Sequence, residues 1–166
     1  DVGMDHKGAA LLGKYLMYNQ AIWSMDLSRN NIAEGAVHIF NAVAVHKAIK
    51  TLVIDSNGIT NDSVKSMSDM LLDNELLQTL SLSGNYIDGK GTVELIGALR
   101  KNVTLKSLNL SKIRAHEKIE HAISKIITNF TTKSALKKSF HKEKSVAPPN
   151  PTTCVAISCS IKVDYF

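Results

Sequence analysis

The sequence predicts an α/β solenoid, a short right-handed arc with parallel strands on its concave side and helices on its convex side. Three observations predict it. An asparagine in a fixed setting recurs every 27 or 28 residues, the first half of each unit alternates like a strand, and the second half spaces its apolar residues like a helix.

The units can be laid over one another. Ile22-x-x-Met25-x-Leu27-x-x-Asn30-x-Ile32 returns as Ile49-x-x-Leu52-x-Ile54-x-x-Asn57-x-Ile59 and as Leu77-x-x-Leu80-x-Leu82-x-x-Asn85-x-Ile87. Leu105-x-x-Leu108-x-Leu110 begins a fourth copy, but Ile113 stands where the asparagine belongs. In the strand half, Leu80 and Leu82 point to the core while Thr79, Ser81 and Ser83 point away. In the helical half, Val93, Leu95, Ile96 and Leu99 are expected to form the stripe that packs back on the strand. The same frame runs back through Gly8, Leu12, Leu16, Asn19 and Ile22, so residues 1–21 read as the rear half of a unit. Strands stack about 4.8 Å apart and helices about 10 Å apart, so the array bends with its strands inside.

Asn30, Asn57 and Asn85 sit where the chain leaves the strand, and a buried amide there bonds the backbone of neighbouring coils. They are read as a structural ladder. Gly8, Gly35 and Gly91 open the helices, where a small residue is expected to let the turn close, with Ser63 in glycine's place in the third unit. Ile119, Ile123 and Ile127 keep the helical frame, so residues 105–130 read as a degenerate last repeat and partial cap.

This pattern resembles the leucine-rich repeats of the ribonuclease-inhibitor type, found also in Ran GTPase-activating protein and in the sensor region of nucleotide-binding immune receptors. The resemblance covers roughly residues 2–130. It implies a protein-binding fold, and with it the regulation of a GTPase or of innate immune signalling as one alternative role. It names no function by itself, because this repeat serves unrelated tasks.

Composition agrees with repetition. Apolar residues make up 44% of the 166 and aromatic ones 5%, which suits many small similar layers better than one large irregular core. The formal net charge of +5 is unevenly placed: residues 1–130 hold 14 Lys and Arg against 13 Asp and Glu, and residues 131–166 hold 6 against 2. From Thr131 the period vanishes into a basic run (Lys133, Lys137, Lys138, His141, Lys142, Lys144) and then Ala147-Pro148-Pro149-Asn150-Pro151, which reads as a disordered tail. Nucleic acid or an acidic membrane is a lesser possibility for that run, which carries only Phe140 among its cations. Both cysteines, Cys154 and Cys159, lie in the tail; with no signal-peptide segment or membrane-length apolar stretch, the chain reads as cytoplasmic.

Catalytic and metal readings find no support in spacing. His116 and His121 are five apart, about 140° around a helix, which is not the three or four that a zinc-binding helix requires. His6, His38 and His46 have no cysteine or carboxylate at ligand spacing, and Cys154-x4-Cys159 lacks a third and fourth ligand. No Gly-x-Ser-x-Gly, phosphate loop or paired catalytic carboxylates occur, so neither an enzyme nor a bound cofactor is expected.

The expected function is therefore non-catalytic binding of a protein partner by the concave face. That face comprises Ser24, Asp26, Ser28 and Arg29; Thr51, Val53, Asp55 and Ser56; Thr79, Ser81 and Ser83; and Ser107, Asn109 and Ser111. The set is small and polar; of the residue types that anchor tight interfaces only Arg29 belongs to it, with Trp23 beside it on the strand. A structural spacer in a cytoskeletal or ciliary assembly is the remaining alternative.

Overall fold

The computed structural model describes residues 3–113 and Lys125. The cap at Ile119, Ile123 and Ile127, the pair His116 and His121, the basic tail and both cysteines lie outside the described residues.

Four helices alternate with four short strands: α1 His6–Tyr18, β1 Ser24–Asp26, α2 Ala36–Val45, β2 Thr51–Val53, α3 Val64–Asp73, β3 Thr79–Ser81, α4 Gly89–Lys101 and β4 Ser107–Asn109. The strands pair in chain order β1-β2-β3-β4, all parallel. The register repeats the sequence period, with Met25 beside Leu52, Leu52 beside Leu80 and Leu80 beside Leu108. Three-residue strands have little cohesion of their own, so each is held by its neighbours in the stack.

The core lies between the sheet and the helices. Leu52, Ile54, Ile59, Leu80, Leu82 and Ile87 are fully buried from the strand side, and Leu16, Ile39, Phe40, Met67, Leu95 and Leu99 from the helix side. Each such side chain contributes about 1.5–3 kcal/mol. In α4 the buried stripe runs through Gly91, Thr92, Leu95, Ile96, Ala98 and Leu99, whereas Val93 is 59% exposed. The expected place of Val93 on that stripe is corrected by helix phase: two residues from Leu95 is about 200° around the axis.

The asparagines join the coils. Asn57 is fully buried; its Nδ2 donates to the carbonyl oxygens of Leu27 and Asp55 at 2.9 Å each, and its Oδ1 accepts from the Asn30 backbone N–H at 3.2 Å. Asn85 repeats the scheme, donating to Ile54 and Leu82 and accepting from the N–H groups of Asn57 and Ile59. Asn30, only partly buried, donates to its own coil and accepts from Met4 N.

A second ladder runs along the helix C-termini. Asn74 Oδ1 accepts from Leu76 N and Leu77 N while its Nδ2 donates to Val43 O, and Asn102 bonds Thr104 N, Leu105 N and Leu71 O in the same way. In the coil before Asn74 the place is taken by His46. Its Nδ1 faces the N–H groups of Ala48 and Ile49 at 3.1 and 3.2 Å, so Nδ1 accepts, and Nε2–H donates to Asn19 O at 2.7 Å. The imidazole thus performs the amide's part.

The glycine at the helix start is there for a different reason from the expected one. Gly35 has an ordinary φ of −61°, but a Cβ on it would lie 2.7 Å from the Cα and carbonyl oxygen of His6. The close approach of the neighbouring coil, not turn closure, excludes a side chain. A repeated position with unusual backbone is the one before Asn30, Asn57, Asn85 and Ile113: Arg29, Ser56, Gly84 and Lys112 all have φ between 52° and 68°. Only glycine adopts that conformation without strain. Ser63, standing in glycine's place, is fully buried with no hydrogen-bond partner for its Oγ.

Candidate protein-binding face

The parallel register sets the outward side chains of the sheet in rows. Ser24, Thr51, Thr79 and Ser107 form the first, and Asp26, Val53, Ser81 and Asn109 the second. Ser28, Asp55, Ser83 and Ser111 follow at the same repeat spacing, then Arg29 and Ser56 on the left-handed turns. Strand spacing makes each row about 14 Å long.

Much of this polar surface bonds to itself. Asp55 Oδ1 accepts from Ser81 Oγ at 2.6 Å and from Ser83 N at 2.8 Å, and the hydroxyls of Ser83 and Ser111 lie 2.8 Å apart. Asn109 Oδ1 accepts from Ser111 N. Asp26 accepts from the hydroxyl and backbone N–H of Ser28, and these bonds, the hydroxyl's first, hold its carboxyl below the usual carboxylate range. Ser81 is only 7% exposed with its hydroxyl occupied, so its expected place on the accessible face is corrected: it buttresses Asp55.

At the far end of the rows a depression of ≈ 670 Å³ is lined by Asp26, Ser28, Arg29, Asp55, Ser56 and Lys112, among others. Hydroxyls, carboxylates and cations alternate there, so the depression can hold a polar segment. Among the described residues no group of three or more His, Cys, Asp or Glu could hold a metal ion.

Sequence reasoning set Trp23 on the strand beside the concave residues and missed the row it belongs to at the other end: Trp23, Lys50, Gln78 and Lys106, one residue before each strand. Backbone bonds from Lys50 N to Trp23 O, Gln78 N to Lys50 O and Lys106 N to Gln78 O align them. Strict alternation would turn Trp23 to the same side as Met25, but β1 starts at Ser24 and Trp23 belongs to the loop, 68% exposed. The signal lay in four matching positions directly before the strand.

Comparison with known proteins agrees with this geometry. The Leucine Rich Repeat family model matches residues 76–99, from the approach to β3 into α4. Leiomodin-3 of Mus musculus is 32% identical over 125 residues, 71% of this chain, and that of Homo sapiens 31% identical over 54% of it. Leucine-rich repeat-containing protein 45 of Gallus gallus is 32% identical over 61% of the chain. The chain spans only 21%, 17% and 16% of those three proteins. Among solved structures, actin-binding site 2 of leiomodin-1 superposes with a TM-score of 0.71 at 20% identity, covering 85% of this chain and 82% of that one. The C-terminal domain of tropomodulin from Caenorhabditis elegans gives 0.53 at 10% identity, over 81% and 98%. The chain thus has a leucine-rich-repeat-like fold of four registered coils, of which the one over residues 76–99 matches the family model.

Proposed function

We propose that this chain is a non-catalytic, cytoplasmic protein-binding module of the actin cytoskeleton, and that actin is its partner. One observation carries the reading: the fold superposes, over 85% of the chain, on a segment of leiomodin-1 described as an actin-binding site. Identity of 32% to leiomodin-3 supports it from the sequence side. The array is read as a right-handed arc of the ribonuclease-inhibitor type, which makes the polar rows its concave face. The cytoskeletal setting was the structural alternative in the sequence reading, and it now joins the binding role. No likeness reported above favours regulation of a GTPase or of innate immunity.

The test is direct binding. The whole 166-residue chain is expected to sediment with actin filaments or to co-elute with monomeric actin. If it does neither at near-physiological salt, actin is not its partner.

A further inference from the structure

We infer that the edge made by the strand starts and helix ends of the first two coils is a docking surface for an acidic protein surface, with Trp23 as its anchor. This rests on the reading of the array as a protein-binding module and narrows it to one edge.

The first observation is composition. Interfaces concentrate their energy in exposed aromatic anchors. Tyr18, 90% exposed, ends α1, and Trp23, 68% exposed, is the last residue of the five-residue turn that leads from it to β1. The matching turn of the second coil lies against it, joined by Lys47 N to Gln20 Oε1 at 2.6 Å, His46 Nε2 to Asn19 O and Lys50 N to Trp23 O. That second turn supplies Lys47 and Lys50, both exposed. Two aromatics and two cations thus share one patch.

The second observation is charge polarity across the array. Segments 17–23, 44–50, 72–78 and 100–106, which carry the chain from helix end to strand start, hold five Lys and Arg against Asp73 and Glu75. The opposite edge, segments 3–8, 26–36, 53–64, 81–92 and 109–113, holds four against six. One edge is therefore +3 and the other −2 in a nearly neutral body. Among the described residues the one ion pair is Lys65–Asp69 on the helical face, so Lys47 and Lys50 are left to face a partner. A basic edge steers an acidic surface toward it and orients the encounter.

The third observation is availability. The polar rows beyond the strand starts bond to themselves through Asp26, Asp55 and Ser83. The carboxylates of Asp26 and Asp55 and the hydroxyls of Ser28, Ser81, Ser83 and Ser111 are occupied there, whereas the indole and the two ammonium groups remain open.

Trp23 is the chain's single tryptophan, so with a titrant free of tryptophan, such as the peptide below, its emission reports the patch alone. The whole chain is titrated with actin and, separately, with a synthetic peptide alternating glutamate and leucine. Binding is expected to shift the Trp23 emission to the blue and to weaken as salt rises. Joint Lys47→Glu and Lys50→Glu substitution is expected to weaken binding on the order of tenfold or more, as is Trp23→Ala by co-sedimentation. Glu34→Lys on the opposite edge is expected to leave it unchanged. All these side chains are exposed, so unaltered denaturant midpoints verify folding. If actin binds wild type and the charge-reversed variant equally, the docking edge is wrong and the actin reading stands. If actin fails but the peptide binds with the blue shift and charge dependence, the edge stands and the actin reading falls. Binding of neither, or binding of anionic vesicles or RNA in place of the peptide, overturns the inference.

Discussion

His46 and Asn19 are joined across one coil by a 2.7 Å hydrogen bond from the imidazole Nε2 to the asparagine's carbonyl oxygen. The next two coils make the corresponding link with the amides of Asn74 and Asn102. His46 is 1% exposed, so loss of its ring leaves the N–H groups of Ala48 and Ile49 without an acceptor inside the protein.

Substitution separates the role from the residue type. His46→Asn is expected to keep the denaturant midpoint close to wild type, because an amide offers the same acceptor and donor. His46→Leu is expected to cost about 1–3 kcal/mol for each stranded backbone group. Equal midpoints for the two variants would refute the equivalence.

Asn57→Leu preserves volume but strands Asn30 N and takes one of two donors from each of the carbonyls of Leu27 and Asp55, which keep Asn30 Nδ2 and Arg29 N. At about 1–3 kcal/mol for the stranded N–H, with the two lost amide bonds in addition, that is a large share of the stability of so short an array. Ser81→Ala, which removes one bond to Asp55, is expected to cost about 0.5–1.5 kcal/mol. Chemical unfolding of both proteins checks the order, and a milder effect for Asn57→Leu than for Ser81→Ala contradicts it.

Glycine positions are expected to answer alanine with opposite signs. At Gly35 the new methyl meets the His6 backbone, which cannot swing aside, and overpacking of this kind costs about 1–3 kcal/mol. At Gly97, inside α4 and with open space around it, alanine is expected to add about 1 kcal/mol through helix propensity. Thermal midpoints that move the same way would contradict the packing assignment.

Acid is expected to loosen the helix starts. Asp88 is held below its ordinary 3.8, first by the Asn61 side chain and then by the backbone N–H groups of Lys90 and Gly91. Asp5 is likewise lowered, first by Gly8 N–H. A carboxylate with a depressed folded-state pKa contributes stability that is fully present above the unfolded value and lost as pH falls through the folded one. Unfolding midpoints are thus expected to hold from neutral pH to about 4 and to fall below 3.8, less steeply in Asp88→Asn. A variant with an identical pH profile would show that the cap does not contribute.

The strand half of each unit was legible because its constraints are local and repeated: Leu80 and Leu82 must alternate, and Asn57 and Asn85 must follow them at one distance. Val93 was misplaced because an apolar residue near a helical stripe looks like part of it until the phase is fixed by the whole coil. His46 escaped notice because the ladder is defined by hydrogen-bonding geometry, and an imidazole satisfies that geometry without resembling an amide in sequence. Ser81 and Asp55 are 26 residues apart, and only the stacked register brings them into contact. Arg29 and Ser56 looked like free binding groups, whereas the structure gives their backbone the additional task of a left-handed turn at each strand exit.

Among the described residues, every ladder bond that leaves a coil ends in the coil beside it: Asn30 N meets Asn57, and Asn57 N meets Asn85. Cohesion of this kind has a range of one coil. A lesion near Leu16 is felt near Leu108 only through the two layers between them, and opening starts at the two outer faces and works inward. The molecule has no centre in the sense of a globular domain; it has a middle, and the amides around Asn57 are the last to exchange their hydrogens with water.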